Sequence, residues 1–131
     1  MKLSIVLPAY NEEGSIEETL RTLYAKLQDE QIDHEIVVVN DNSKDNTLGL
    51  LTTIQETIPT LVVHTNLGPN GFGYAIRYGL ERFQGDCVAI MMSDLSDDPA
   101  DLVAFYRKMV AENLDCVFGS RFVRGGVTYD Y

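Results

Sequence analysis

The run Val88-Ala89-Ile90-Met91-Met92-Ser93-Asp94-Leu95-Ser96-Asp97-Asp98-Pro99 carries an apolar strand into a cluster of carboxylates and then into a helix start. In an α/β protein the carboxyl end of a strand is where ligands bind. Carboxylates held so close repel one another, at about 4 kcal/mol per pair for charges ~4 Å apart near a protein surface, unless a cation sits among them. The chemistry implied is binding of a divalent metal. Asp98 already has a duty as N-cap ahead of Pro99 at the first helical position. Asp97 is explained as well by the helix dipole as by a ligand role. Asp94 has no capping duty, and it is the candidate metal ligand.

Three other strand ends are rich in polar groups: Pro8-Ala9-Tyr10-Asn11-Glu12-Glu13, Asn40 through Thr47, and Ser120-Arg121-Phe122-Val123-Arg124-Gly125-Gly126. Tyr10 offers a flat face with a polar tip, and Asp41 can accept hydrogen bonds from a ribose or a base imino group. Ser43 and Asp45 read as an Asx-type turn capping the next helix, whereas for Asp41 the turn and the ligand contact are close competitors. Arg121 and Arg124, in glycine-rich backbone, have the geometry to clamp a phosphate, with a solvated surface position the equal alternative for Arg124. Gly71-Phe72-Gly73 is set aside as a dinucleotide fingerprint, since it lacks the third small residue and follows the third strand rather than the first. His34 and His64 are single histidines flanking strands and read as structural.

The elements that must position these groups alternate. Leu3 to Leu7, Glu35 to Val39, Thr60 to His64, Cys87 to Met92 and Cys116 to Gly119 read as strands. The first helix is expected to open with a capping box, Ser15 and Glu18, and to bury Ile16, Leu20, Leu23 and Leu27. A second helix follows Ser43 with Leu48, Leu51 and Ile54, a third spans roughly Gly73 to Phe83, and a fourth runs from Asp98 through Leu102, Phe105 and Met109. This alternation predicts a mainly parallel sheet with right-handed crossovers and helices on both faces, a three-layer α/β/α sandwich. The loop from Thr65 to Phe72 is expected to pack its glycine backbone close to something. Val123 to Tyr131 shows no stop signal, so the chain reads as cut short.

The 131 residues form one domain, with 45% hydrophobic content and a formal net charge of -10. That charge argues against nucleic acid as a partner, because binding a phosphate backbone needs a basic face. No apolar run reaches the ~20 residues that cross a bilayer and no signal peptide precedes the first strand, which points to the cytoplasm. Cys87 and Cys116 lie in apolar runs and read as reduced buried thiols.

Taken together the chain resembles the family 2 glycosyltransferases with the Rossmann-like GT-A fold. Ile5-Val6-Leu7-Pro8-Ala9-Tyr10-Asn11-Glu12 matches the family's opening strand and loop. Val37 to Ser43 with Asp45 and Thr47 is similar to its Asp-Asp-Gly-Ser-x-Asp-x-Thr motif, Asn66-Leu67-Gly68 with Gly71, Ala75 and Gly79 to its third segment, and Ile90 to Pro99 to its Asp-x-Asp region. The segment Gly119 to Gly126 resembles the dolichyl- and polyprenyl-phosphate sugar synthases. The resemblance implies nucleotide-sugar contacts at Pro8, Tyr10, Glu12, Asp41, Gly71 and Ser93, a catalytic metal ligand at Asp94 and a catalytic phosphate-side residue at Arg121. It implies a divalent metal, Mg or Mn, a UDP- or GDP-sugar donor, inversion, and a lipid-phosphate acceptor at the cytoplasmic face of a membrane; a homo-oligomer is compatible with it. Residues 1–131 would be the nucleotide-sugar-binding part of a longer catalytic domain. Met92 stands where the family has the first Asp of Asp-x-Asp, and Asn40 and Asn42 replace an Asp and a Gly. Met92 and the early end of the pattern keep open a rival, a non-catalytic module that binds the nucleotide, or serves as a scaffold, without turnover. A flavodoxin-like or receiver domain also gathers carboxylates at strand ends, but the Pro8 to Glu12 loop and the arginine-glycine tail argue against it.

Overall fold

The computed structural model describes residues 2–93 and 98–112. Four strands, β1 (Leu3–Ala9), β2 (His34–Asn40), β3 (Leu61–Thr65) and β4 (Cys87–Ile90), alternate with four helices, α1 (Ile16–Asp29), α2 (Thr47–Gln55), α3 (Phe72–Leu80) and α4 (Pro99–Glu112). The expected strand Cys116 to Gly119 lies outside the described residues. The strands form one parallel sheet in the order β3-β2-β1-β4, with Leu3 opposite His34 in β2 and opposite Cys87 in β4. β1 and β2 are therefore interior strands, and all seven residues of each are buried, as a parallel strand covered on both faces must be.

Alternation of side chains sorts these strands between two layers. Leu3, Ile5, Leu7 and Ala9, with Ile36 and Val38, join one core with Ile16, Leu20, Leu23 and Leu27 of α1, Leu51 and Ile54 of α2, and Leu102, Val103 and Met109 of α4. α3 packs on β1 and β2 from the other side, over the buried Val6, Val37 and Val39. The sandwich thus has the three layers that the alternation predicts. α3 sits close because its buried face is made of small residues, Ala75 and Gly79. A Cβ placed on Gly79 would come within 2.6 Å of Val6 Cγ1 and 3.2 Å of Val39 Cγ2. Among the described residues no helix is long and apolar enough to cross a membrane.

At the carboxyl edge the loops after β1 and β2 are laced together. Ser43 Oγ accepts from the Asn11 N–H at 3.0 Å, while Asn11 Oδ1 accepts from the Lys44 N–H at 2.7 Å. Thr47 Oγ1 accepts from the Glu12 N–H at 2.9 Å, and Glu13 Oε1 from the Asn46 N–H at 2.7 Å. Asp45 closes the set, taking the Glu13 N–H on Oδ2 and the Thr47 N–H and hydroxyl on Oδ1. This is why α2 begins at Thr47 and not directly after Ser43: residues 43–46 are occupied in binding the neighbouring loop. Asn11 and Asn42 hold φ of 53° and 60°, the left-handed region that Asn tolerates better than other residues with a side chain. Asn42 thus fills a position where the resembling family has Gly. Ser15 is the N-cap of α1, but its side chain makes no cap bond, so the expected capping box does not form. Asp98 does cap α4, its Oδ1 accepting from the Ala100 N–H at 2.9 Å.

Two measurements check this frame. Gly79→Ala forces a methyl into two fully buried β-branched side chains, and should lower unfolding stability by about 1–3 kcal/mol. Urea unfolding with an unchanged midpoint would contradict the close seat of α3. Burial pushes the Asp45 carboxyl up, but bonds from the Thr47 hydroxyl and the Thr47, Glu13 and Asp45 N–H groups outweigh it and hold it below its ordinary 3.8. A carboxyl lowered by folding stabilises fully above its unfolded pKa, and that contribution is lost as pH falls through the lower folded value. Melting temperatures taken from pH 6 to pH 3 should therefore fall more steeply below about pH 4 for the native protein than for Asp45→Asn; parallel curves would remove Asp45 from this role.

Candidate functional site

Asp41 follows β2 directly and is 5% exposed. A carboxylate at that depth is costly unless donors surround it. Oδ1 accepts from Asn70 Nδ2 at 2.9 Å and Asn66 Nδ2 at 3.2 Å, and Oδ2 from the Gly71 N–H at 2.8 Å. Asn66, itself 4% exposed, also donates to the Pro69 carbonyl at 2.9 Å, and its own carbonyl takes the second Asn70 amide proton at 2.8 Å. Its backbone N–H reaches the Asn40 carbonyl at 2.9 Å, continuing the sheet past β3. The 66–71 loop is therefore hung on Asp41. Gly71 has φ 139°, open to glycine but strained for other residues, and that conformation presents its N–H to Asp41. A Cβ at this position would meet Tyr74 at 3.6 Å, an ordinary contact, so this glycine is required by conformation and not by the close packing expected of the loop.

Asn40, 2% exposed, accepts the Ser43 N–H on Oδ1 at 3.2 Å and donates to Thr65 Oγ1 at 3.5 Å. An aspartate there would place a second buried negative charge beside Asp41 and could not donate to Thr65. The neutral amide suits both neighbours.

Beyond β4 the Met91 N–H still reaches the Val6 carbonyl at 3.0 Å. Ser93 is 2% exposed, and its hydroxyl donates to the Pro8 carbonyl at 3.0 Å. The Ser93 carbonyl accepts from α1, with Ser15 Oγ at 3.1 Å and Thr19 Oγ1 at 3.2 Å. Ser15 Oγ is also 3.1 Å from Glu12 Oε1. That pull from Glu12 and Ser93 explains why Ser15 does not cap its own helix.

These strand ends surround one cleft of about 450 Å³, within the size range of small-ligand sites. Its lining includes Pro8, Tyr10, Glu12, Asp41, Gly71 and Ser93, so the six contacts expected from the sequence are brought together. Met92, Asn42, Lys44, Asn70 and Phe72 line it as well. Tyr10 and Phe72 are each 51% exposed. Sequence reasoning missed Lys44, Asn70 and Phe72: Phe72 was placed at the end of the Thr65 to Phe72 loop, whereas it opens α3, and Lys44 falls within the turn before the second helix. The signal for Asn70 was its place before Gly71, which marks a turn but not a partner. Asp94, Asp97, Arg121, Arg124 and Cys116 lie outside the described residues. Among the described residues no group of three His, Cys, Asp or Glu could hold a metal. His34 is buried, with Nδ1 2.9 Å from the Ile32 carbonyl and Nε2 2.8 Å from the Thr60 hydroxyl, a structural role as expected.

The family described as Glycosyl transferase family 2 matches residues 4–131. The chain is 30% identical over 126 residues to dolichol-phosphate mannosyltransferase of Pyrococcus furiosus, covering 96% of this chain and 35% of that protein. It is 35% identical over 133 residues to an uncharacterised glycosyltransferase of Synechocystis, covering 98% and 40%. The chain thus spans between a third and two fifths of these relatives' length. Among solved structures, a mannosyltransferase from Pyrobaculum calidifontis in complex with GDP-Man and Mn2+ superposes with TM-score 0.70 at 27% identity, over 82% of this chain and 32% of that one. TarS residues 1–349 of S. aureus in complex with UDP-GlcNAc gives TM-score 0.70 at 26% identity, over 86% and 32%. With a parallel α/β sheet of the GT-A type and a family match over nearly all its length, this chain belongs to glycosyl transferase family 2.

Proposed function

We propose that the cleft binds a nucleotide diphosphate sugar, UDP- or GDP-linked, and that the protein transfers the sugar with inversion to an acceptor, a polyprenyl phosphate by similarity to the dolichol-phosphate mannosyltransferase of P. furiosus. The observation that carries this reading is the convergence of Pro8, Tyr10, Glu12, Asp41, Gly71 and Ser93 on one cleft at the carboxyl edge of a parallel sheet. Tyr10 and Phe72 offer half-exposed aromatic faces to a base, a contact worth roughly 1–3 kcal/mol per stacked base. The Asp41 Oδ2 keeps a lone pair beyond its bond to Gly71, and can take a base or ribose donor. Lys44, whose side chain has no ion pair among the described residues, supplies positive charge in an acidic protein, and Arg121 is proposed for the phosphate side.

The proposed metal is a hard divalent cation, Mg or Mn. Such ions take one or two carboxylates and complete their shell with substrate phosphates and water, so a preformed three-carboxylate cage is not needed. Asp94 is the proposed ligand, and a metal bound there would offset charge on the departing diphosphate. The protein's own part is to hold Ser93 at the cleft wall. A phosphate monoester, with second pKa about 6, is already a dianion near pH 7 and attacks without a strong general base. A sugar hydroxyl would need a carboxylate base.

Met92 lining the cleft favours one second reading, a nucleotide-sugar-binding module without turnover. Calorimetric titration of UDP and GDP, with and without Mn2+, followed by a transfer assay, separates the two. Metal-dependent nucleotide binding with transfer is the expected result. Binding without hydrolysis or transfer supports the module, and no nucleotide binding with metal present ends both readings.

Asp41→Asn turns an amide donor toward the Asn66 and Asn70 amides or the Gly71 N–H. It should weaken nucleotide binding at least about tenfold, or ~1.4 kcal/mol. Native-like affinity in that variant would exclude Asp41 and its loop from the nucleotide site.

A further inference from the structure

A nucleotide-sugar site with either UDP or GDP leaves the base open between uracil and guanine, and the two present different edges. Uracil offers one donor, the N3 imino hydrogen, between two carbonyl oxygens. Guanine offers two side by side, the N1 imino hydrogen and the 2-amino group. A carboxylate with both oxygens free takes the guanine pair as a fork, one bond to each oxygen. Which base a buried carboxylate selects therefore depends on how many of its acceptor sites the protein has already filled.

At Asp41 three are filled. An ionised carboxylate has about four such sites, two on each oxygen. Oδ1 takes Asn66 Nδ2 at 3.2 Å and Asn70 Nδ2 at 2.9 Å, while Oδ2 takes the Gly71 N–H at 2.8 Å. One site remains, on Oδ2. Neither amide is free to turn over. Asn66 Nδ2 also serves the Pro69 carbonyl while its Oδ1 accepts the Gly68 N–H at 3.3 Å, and Asn70 Nδ2 also serves the Asn66 carbonyl. These partners assign both side-chain orientations, since a flip would set oxygen against oxygen. Asn70 is exposed and lines the cleft, so a ligand there meets its amide as well as the carboxylate.

We propose that the filled Oδ1 of Asp41 makes this cleft select uracil over guanine, with Asn70 the residue that sets the choice. The inference rests on the nucleotide-sugar reading and narrows its donor to a UDP-sugar. Uracil's single imino hydrogen matches the single open site. Guanine has either to leave one donor without an acceptor at the carboxylate or to displace an asparagine amide, and both lose a hydrogen bond. Stacking does not make this choice, because Tyr10 and Phe72 offer faces that any base can use.

The test is calorimetric titration of UDP and of GDP into the native protein and Asn70→Ala, with Mn2+ present throughout. The native protein should bind UDP about tenfold more tightly than GDP, the effect of one unmet donor. Asn70→Ala reopens a site on Oδ1 and should lower the UDP-to-GDP affinity ratio at least about threefold. The ratio is the readout because a loop merely loosened by the substitution weakens both nucleotides alike. GDP bound as tightly as UDP by the native protein overturns the inference, leaves the nucleotide-sugar reading standing, and requires no variant to fold. A native preference for UDP that Asn70→Ala leaves unchanged also overturns it, because the filled oxygen is then not the cause. Binding of neither nucleotide overturns the nucleotide-sugar reading and this inference with it.

Discussion

A buried carboxylate is the constraint on which the cleft depends. Asp41 sits at the end of an interior strand, where removing it from water is costly unless hydrogen bonds replace the lost hydration. The replacements are two side-chain amides and one backbone N–H, all from the loop between β3 and α3. The charge and the loop need each other. Without the loop the charge is unsatisfied, and without the charge the loop has no common acceptor around which to close. One wall of the cleft follows from this, because Gly71 is fixed by its bond to Asp41 and α3 starts at the next residue.

A second wall follows from the lacing of the β1–α1 and β2–α2 loops. Of the side chains that lace them, Asn11, Ser43, Asp45 and Thr47 are among the residues by which the chain resembles its family, and Glu13 joins them. Several motif positions therefore work on backbone and not on ligand. Asp45 spends both oxygens on neighbouring donors, and Thr47 is fully buried. The residues left facing the cleft, Tyr10, Glu12 and Lys44 among them, are held in place by that frame. Motif strength here measures the difficulty of building two adjacent loops at a sheet edge as much as it measures chemistry.

The fold was legible because burial imposes a period. β1 and β2 carry apolar runs, Ile5 to Leu7 and Ile36 to Val39, and α1 repeats Ile16, Leu20, Leu23 and Leu27 on one face, all fully buried. Where a side chain had two competing partners, the local reading failed. Ser15 in front of Glu18 is a sound capping box by local rules, yet a carboxylate three residues before it and a carbonyl 78 residues away compete for its proton. α2 starts later than its hydrophobic pattern allows for the same reason, since residues 43–46 find partners in another loop. Asn40 and Asn42 looked like departures from the family. In the structure, one avoids a second charge beside Asp41, and the other meets a positive φ that a side-chain-bearing residue adopts most easily as Asn.

The sequence by itself determined the layered α/β class, the end of the sheet at which the polar groups gather, and the residue types available there, because strand and helix periods and capping are local properties. It also carried the resemblance through which Pro8, Tyr10, Glu12, Asp41, Gly71 and Ser93 were named together. Only the tertiary structure decided how those groups are spent. The Asp41 oxygens are shared with a loop some 25–30 residues away, and the Ser93 carbonyl is held by a helix that precedes it by more than 70 residues. A hydrogen bond has no sequence period. Which donor reaches an acceptor is set by the register of β1 between β2 and β4, and that register exists only once the chain has folded.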